Sequence, residues 1–448
     1  MIGVAKGPKV VGDYGTVEQP QGEARTRLLV LPLALACGIF LCYQAARLWV
    51  ADHRIHSSKL EVIERGAALE PGNAEAWDIL GRHRQLDFTN ADPAQALANY
   101  QRAIQDDPLS ANYWMNLAGA YEAVGEVGRA QEAFAHARSV YPLSAEVAWN
   151  YGNFLLRQDQ DAAGYSEIRD AVQSDPGFLT LAVSRVWRSS HDVNILLDHV
   201  LPADVDAYIH AVDFFSSIHR PDQALAVWGR LISLGKPIAL PRTFPFFDEL
   251  ILDDRSTDAK RVWIEALTVA GLPHDEPLRH SAIWDGDFAH DFENGGLGWR
   301  WNNPVGAAID FDAAPPSHGV RSLLLQFGGG INLDIIVPMQ YVPVEPGLKY
   351  HFHAYMKTQG ITTESGMRFS IQDPNHNNAV SLLTENLTGS HEWTAVDADV
   401  TTSGQTHFLL VQLFRQPSRL FENKLSGTVW IADTSLIPDE EQAGNSPR

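Results

Sequence analysis

The sequence predicts a multidomain protein in which an α-helical part precedes a β-part: a transmembrane helix, a helical solenoid and a β-sandwich. Three observations support this prediction. Residues 28–46 form an almost unbroken apolar run, and apolar residues then recur at helical spacing over residues 57–275. From residue 281 onward, apolar and polar residues alternate as they do in half-buried strands. A chain of 448 residues is also too long for one ordinary domain.

Changes in composition divide the chain into six expected segments. The main joint is the Pro- and His-rich stretch 271–280, where the helical spacing stops. The segments are an N-terminal arm (1–27), a transmembrane helix (28–50), regular helical repeats (57–176), degenerate helical repeats (177–275), the β-sandwich (281–438) and a tail (439–448).

The apolar run predicts one membrane-spanning helix. Its length falls within the range of about 17–25 residues that a span requires, and Arg47 and Trp49 suit the membrane interface. The alternative is a signal peptide that is cleaved, or lipidated at Cys37. The apolar run continues past Cys37 and exceeds the apolar core of about 7–15 residues in a typical signal. A retained span is therefore favoured.

Basic residues do not decide which side of the membrane the soluble part occupies. Four precede the span and four closely follow it, which is a tie under the positive-inside rule. The side of the membrane is therefore inferred from the character of the C-terminal domain. On that basis we expect a single-pass protein of a bacterial inner membrane with its soluble domains in the periplasm.

Charge and cysteine content exclude several classes of function. The net charge is −21, so the chain has no basic surface for nucleic acid and no such partner is expected. The two cysteines, Cys37 and Cys42, both lie in the apolar run. Disulfides and thiolate metal sites are therefore excluded from the rest of the chain.

Residues 114–142 show a regular two-helix pattern, in which one apolar helix face, two glycines, a second apolar face and a proline follow one another. The residues are Trp114, Leu117, Ala118 and Tyr121, then Gly125 and Gly128, then Ala130, Phe134 and Ala137, then Pro142. This order resembles the tetratricopeptide repeat, a helix–turn–helix unit of 34 residues. Small side chains at Ala118 and Ala130 are expected where the two helices approach closely.

Two further units flank this repeat. The upstream unit has Trp77 three residues too early for strict phase, which predicts an insertion in the turn 87–95. The downstream unit has Ala148 in the tryptophan position. Beyond it, residues 207–237 and 247–273 fit the pattern more weakly, as degenerate or capping repeats. The resemblance implies a solenoid that binds a protein partner.

The C-terminal part predicts about eight short strands separated by Gly, Pro and Asn turns, which is typical of a β-sandwich. Four of its segments resemble the jelly-roll carbohydrate-binding modules of the CBM4/9 type. They are "IWDGDFAHDFENGGLGWRW" (283–301), "SHGVRSLLLQF" (317–327), "VPVEPGLKYHFHAYMKT" (342–358) and "VWIADTSLIP" (429–438). Galactose-binding-like sandwiches with other roles share this frame, so a glycan ligand and a protein ligand both remain open.

The resemblance implies two kinds of site. A glycan would meet aromatic rings and polar side chains on a sheet face or in loops at one edge. A structural calcium ion would be held by Asp285, Asp287 and Asp433, whose oxygen atoms suit a hard cation; turn residues without a metal are the alternative. No other cofactor is expected.

Strand alternation specifies the candidate glycan face. His351, His353 and Tyr355 point to one side of their strand. If this strand pairs with residues 367–372, the polar face continues through Arg368 and Gln372. The alternative is a solvated face without a ligand, which is common in antiparallel sheets.

Two further residue pairs bear on this site. Trp299 is a candidate rim ring for the glycan, with Trp301 as its partner in the core. The pair His351 and His353 could instead ligate a metal ion, but no third ligand is evident in the sequence.

Motifs of common enzymes are absent from the sequence: there is no H-E-x-x-H, G-x-S-x-G, phosphate loop or dinucleotide fingerprint. We therefore expect a membrane-anchored, non-catalytic scaffold for the assembly or export of a surface polysaccharide. The alternatives are a glycan-modifying enzyme with its site at the solenoid–sandwich joint, and a purely structural scaffold.

Overall fold

The structure, a computed structural model, describes residues 21–87, 91–272, 281–302, 304–313, 319–377 and 379–439, with side chains from residue 32 onward. The chain divides into two compact units, Met1–Phe154 and Leu155–Arg448. The expected joint 271–280 falls almost entirely outside the described residues, as do most of the arm and the tail. The six segment boundaries therefore stay predictions.

The order of elements confirms the predicted α-then-β fold class. The described helices are α1 (Gln21–Ile55), α2 (Leu60–Leu69), α3 (Ala74–Leu86), α4 (Pro93–Asp106), α5 (Ala111–Ala123), α6 (Val127–Val140), α7 (Ala145–Arg157), α8 (Asp161–Ser174), α9 (Leu179–Ser190), α10 (Val193–Ile195), α11 (Val205–Ser217), α12 (Pro221–Ser233), α13 (Phe244–Leu252) and α14 (Ser256–Ala270).

Helix α1 is long and apolar enough to cross a membrane. Within Pro32–Ile55 an 18-residue window has a mean hydropathy of 1.6 and is not buried in the structure. Large apolar side chains such as Leu35, Phe40 and Leu41 are exposed. In the last turn of the helix Ile55 is buried instead, because it packs against Ile63 in an apolar cluster formed with helices α2 and α3.

Helix spacing agrees with the 34-residue repeat and locates its irregularity. Helices α4 and α6 begin 34 residues apart, and so do α5 and α7. Helix α3 begins 37 residues before α5, so three extra residues lie in the turn between α3 and α4, as the sequence predicts. The indole nitrogens of Trp77 and Trp114 each donate to a proline carbonyl six residues earlier, at Pro71 and Pro108, over 2.9 Å. These two tryptophans therefore occupy equivalent positions.

Small residues allow the paired helices to approach. Ala118 and Ala130 are completely buried. Gly81 occupies the position equivalent to Ala118, and a Cβ atom there would lie 2.6 Å from the ring of Tyr100. Such a distance is far below van der Waals contact, so only glycine fits at this position without a shift of the tyrosine ring.

The helices of the second unit bury the same kinds of residue. In α11 and α12, Ala211, Ala224 and Trp228 are at most 1% exposed. In α14, Ala259 and Trp263 are completely buried. Alternating small and aromatic residues thus pack this region, although its sequence follows the repeat only weakly.

Among its described residues, the C-terminal part forms two antiparallel sheets that enclose an apolar core. One sheet has five strands in the order β1-β2-β9-β4-β7, and the other has four in the order β3-β8-β5-β6. The strands are β1 (Ala307–Ala313), β2 (Arg321–Gly328), β3 (Met339–Pro343), β4 (Lys349–Ile361), β5 (Arg368–Gln372), β6 (Ser381–Leu383), β7 (Gly389–Thr401), β8 (Phe408–Phe414) and β9 (Ser426–Pro438).

Strand pairing differs from one sequence-based expectation. Strand β4 pairs with β7 and β9, whereas β5 pairs with β6 and β8. The expected pairing of residues 349–357 with 367–372 is therefore wrong. The two strands belong to opposite sheets, and their apolar faces meet in the core.

Helices α13 and α14 pack against the four-stranded sheet and its preceding loop. Phe408 and Leu410 point away from the sandwich core, since Leu409 and Val411 belong to it, yet both are at most 8% exposed. Helix α14 contacts the neighbouring strand β3. The Asn375 amide also donates to the carbonyl of Ile251 over 2.8 Å. Part of this outer sheet face is therefore covered by helices.

The loop that precedes β1 contributes close contacts to the same helices. Trp284 and Trp263 pack edge to face, with ring centroids 5.4 Å apart. Arg300 forms a 2.7 Å ion pair with Asp248 of α13. A Cβ atom at Gly295 would lie 2.1 Å from the ring of Phe244. The second unit therefore joins helices and sandwich through a packed interface.

Candidate functional site

The outer face of the five-stranded sheet displays most of the predicted polar residues. Phe352, Ala354 and Met356 of β4 are completely buried in the core. Since side chains alternate along a strand, His351 and His353 point outward, as do Tyr355 and Lys357. The part of the sequence-based prediction that places two histidines and a tyrosine on one face thus matches the backbone.

Three partly exposed aromatic rings surround Lys357 on this face. Trp430 of β9 lies opposite Lys357, with the ammonium group 5.5 Å from the ring centroid. Trp393 lies at a bulge of β7 on the other side of Lys357. Tyr355 is one outward position along β4. We call Tyr355, Lys357, Trp393 and Trp430 the aromatic platform.

Contacts with neighbours hold the rings of the platform. The Trp430 indole donates to the carboxylate of Asp312 over 3.1 Å. The rings of Tyr355 and His353 meet edge to face at 4.8 Å. Sequence analysis missed Trp393 and Trp430, although the alternation in "VWIADT" places Trp430 opposite to the apolar Val429 and Ile431.

A histidine–aspartate cluster lies further along the same face. His351 and His353 of β4 are directly opposite Asp399 and Asp397 of β7. His351 contacts Asp399 through Nδ1 at 2.9 Å and Asp397 through Nε2 at 3.3 Å. Nδ1 of His353 lies 2.7 Å from the same Asp397 oxygen. We call these four residues the His–Asp cluster.

Neighbouring charges shift the pKa values within the cluster. The hydrogen bond to Asp399, and then that to Asp397, raises the pKa of His351. The hydrogen bond from His353 lowers the pKa of Asp397, and the ammonium group of Lys349, 2.8 Å away, lowers that of Asp399. The basic groups of β4 and the carboxylates of β7 therefore stabilise each other's charged forms. The aspartates were missed by sequence analysis, although "VDADV" alternates in the pattern of an outward-facing acidic pair.

A depression of about 620 Å³ borders the two histidines on the side of β9. Its lining includes Asp287, Asp433 and Ser435. The strand order places β4 between β9 and β7, so the histidines have aspartates on one side and this open space on the other.

The remaining predicted glycan residues lie elsewhere. Arg368 and Gln372 are on β5, and their outward face belongs to the opposite sheet. Trp299 is only 2% exposed, and its indole donates to the carbonyl of Asp285 over 3.1 Å. Trp299 is therefore a core residue and not a rim ring. The single polar face expected from the sequence is divided between two sides of the sandwich.

The expected calcium ligands do not form one compact cluster. The carboxylates of Asp285, Asp287 and Asp433 do not all lie within 4.8 Å of one another. Asp285 is 3% exposed, and both of its oxygens accept from the backbone N–H of His290. Burial raises the pKa of Asp285 to about 7. Asp285 and Asp433 have φ values of 52° and 50°, a conformation in which aspartate is enriched. This conformation suits the alternative of turn residues without a metal.

Comparison with known proteins gives a family match for the C-terminal part of the chain. Residues 288–418 match the family model described as "CBM_4_9: Carbohydrate binding domain". The solved structure titled "CBM4 structure and function" shares 13% identity and a TM-score of 0.26, and the match covers 35% of this chain and 99% of that one. The structure titled "Crystal structure of MamA" shares 15% identity and a TM-score of 0.25, over 39% and 85% of the two chains. At TM-scores this low, neither likeness bears on function. No curated protein matches the chain.

Proposed function

We propose that this protein is a membrane-anchored, non-catalytic binding protein whose sandwich binds a polysaccharide on the aromatic platform. The observation that carries the proposal is the match of residues 288–418 to a carbohydrate binding domain. The platform adds the chemistry, because flat rings stack on the C–H faces of sugar rings while adjacent polar groups bond their hydroxyls.

Exposure favours this face over the other outer face of the sandwich. On the four-stranded sheet, Phe408, Leu410 and Gln412 are at most 8% exposed. On the five-stranded sheet, Tyr355, Trp393 and Trp430 keep part of their surface accessible. A chain-like ligand such as a polysaccharide needs an open surface, so we assign binding to the five-stranded sheet.

The helical repeats supply a second binding function in this proposal. Stacked helical hairpins present an extended surface to protein partners, and the regular units here repeat every 34 residues. Together with an anchored sandwich, they favour a scaffold that brings proteins to a polysaccharide during its assembly or export. We place it in a bacterial inner membrane with the soluble part in the periplasm.

The decisive experiment measures polysaccharide binding by the full chain in detergent, with and without platform rings. Trp430→Ala and Tyr355→Ala should each weaken binding about tenfold or more, since a stacked ring contributes more than about 1.4 kcal/mol at a binding hot spot. Tyr141→Ala is the matched control, because this ring is 54% exposed but belongs to the helical repeats. Equal loss in all three variants, or no binding by the unaltered chain, contradicts the proposal. Turnover of any polysaccharide would support the alternative of a glycan-modifying enzyme.

The membrane anchor needs a separate test. A reporter that is active only outside the cytoplasm, fused after residue 60, should be active, because we place the soluble part in the periplasm. It should also remain in the membrane fraction, because an 18-residue window within Pro32–Ile55 has a mean hydropathy of 1.6. Release of a protein that begins near Cys37 would show a cleaved signal instead.

A further inference from the structure

We propose that His351, His353 and Asp397 form a binding site for a divalent transition-metal ion such as zinc. Nitrogen atoms of both histidines and a carboxylate oxygen of Asp397 lie within 4.8 Å of one another. The sequence shows two histidines without a third ligand; the pairing of β4 with β7 supplies one. Two imidazoles and one carboxylate are a ligand set that catalytic zinc sites use.

The distances in the cluster suit a metal ion. Ligands that bind one zinc ion at about 2.0–2.2 Å in tetrahedral geometry are about 3.3–3.6 Å apart. Nε2 of His351 lies 3.3 Å from the Asp397 oxygen, and Nδ1 of His353 lies 2.7 Å from it. The two histidine nitrogens lie within 4.8 Å of each other. Binding therefore requires His353 and Asp397 to separate by less than about 1 Å and the two nitrogens to approach to about 3.3–3.6 Å, which side-chain rotations supply.

A further carboxylate orients His351 as in many metal sites. Nδ1 of His351 is hydrogen-bonded to Asp399, which also contacts the ammonium group of Lys349 at 2.8 Å. With its proton on Nδ1, the neutral imidazole presents the lone pair of Nε2 toward Asp397 and His353. Carboxylate–histidine–metal arrangements of this kind fix the tautomer and raise the basicity of the ligand.

The backbone holds the three ligands on rigid elements. His351 and His353 flank the completely buried Phe352 in a strand with neighbours on both sides. Their partners on β7 are in direct register. Preformed ligand positions reduce the conformational cost of metal binding.

Space for a further ligand lies on the solvent side of the sheet face. The side chains of His351, His353 and Asp397 are 51%, 24% and 48% exposed, so a water molecule or a hydroxyl group from solvent can complete the coordination. Imidazole nitrogen favours zinc, copper and nickel over calcium and magnesium. The inference does not depend on the proposed polysaccharide function, since the platform rings are not among the ligands.

The test is a calorimetric zinc titration of the tag-free full chain. The unaltered protein should show one saturable site in this cluster. His353→Gln and Asp397→Asn should each remove it, because two ligands alone hold zinc weakly. Asp399→Asn should keep the site but weaken zinc binding about 10- to 100-fold, as loss of an orienting carboxylate does in known sites. Its zinc affinity should therefore lie between that of the unaltered chain and that of the two ligand variants.

Two histidine variants serve as controls. His391→Gln changes another exposed histidine of β7, whose ring contacts the carbonyl of Thr388. His219→Gln changes the other described three-residue group of this kind, His219–Glu249–Asp253. In both variants, zinc should bind at the His–Asp cluster with the same affinity as in the unaltered chain. No saturable zinc binding, or unchanged binding in His353→Gln and Asp397→Asn, overturns the proposal, and melting curves without zinc confirm that each variant is folded.

Discussion

Phe352 of β4 and Phe369 of β5 pack against each other across the interior of the sandwich, with ring centroids 4.9 Å apart and ring planes at 60°. The two strands belong to different sheets. The residues that flank the two rings therefore point to opposite outer faces, His351 and His353 to one and Arg368 to the other. The polar residues that the sequence predicts to form one surface therefore lie on two opposite faces of the sandwich.

Replacing the buried ring and its polar neighbour should separate stability from binding. Phe369→Ala should destabilise the sandwich by roughly 3–5 kcal/mol, because it leaves a cavity in the core. Arg368→Ala, at the adjacent outward position, should change stability by less than about 0.5 kcal/mol and leave polysaccharide binding intact. Thermal unfolding and binding titrations check both. Reduced binding by Arg368→Ala with a normal melting curve would place the ligand on the four-stranded sheet.

Two glycines in equivalent helices should respond oppositely to alanine. At Gly81 a Cβ atom would lie 2.6 Å from the Tyr100 ring, whereas at Gly119 nothing lies within 4 Å. Gly81→Ala should therefore cost about 1–3 kcal/mol by overpacking. Gly119→Ala should stabilise α5 by up to about 1 kcal/mol, because alanine is the better helix former. Helical melting followed by circular dichroism provides the measurement, and equal shifts in the two variants would contradict the packing of the repeat.

The buried carboxyl of Asp285 should make the sandwich less stable as the pH rises. Its pKa is about 7 in the folded chain against the ordinary 3.8. Below pH 3.8 both states hold the proton; between pH 3.8 and 7 only the folded state does, so stability falls with rising pH and the loss is complete above 7.

The isosteric variant Asp285→Asn should remove this dependence, since its amide oxygen still accepts from the N–H of His290. It should exceed the unaltered chain in stability by on the order of 2–4 kcal/mol at pH 8 and match it near pH 4. Melting curves across this range provide the check. Greater stability of the aspartate at pH 8, gained on adding calcium, would restore the calcium hypothesis.

Removing the helices should weaken the sandwich. A fragment of 281–439 uncovers Trp284, Phe408 and Leu410, which are at most 8% exposed in the full chain. Burial of each large apolar side chain is worth about 1.5–3 kcal/mol, so this fragment should melt well below the fragment 155–439 or aggregate. Matching melting temperatures for the β transition would show that the packing of α13 and α14 contributes nothing to stability.

Local sequence patterns were sufficient for the elements themselves. Helical spacing located the repeats, and the early position of Trp77 located the three extra residues before α4, because both signals depend on neighbours within one helical hairpin. Alternation in β4 likewise identified Phe352 as inward and His353 as outward. Each of these inferences depends on residues only a few positions apart.

The sequence by itself determined the order of a long apolar helix, helical repeats and a sandwich, and the side of each strand on which a residue lies. Only the tertiary structure decided which strands pair. Asp397 reaches His353 across 44 positions of the chain, and Asn375 reaches Ile251 across 124. A period of two residues places side chains on a face but carries no information about the neighbouring strand, because register and partner depend on how all the strands together bury their apolar faces. The third ligand of the cluster and the division of the polar face both follow from that pairing.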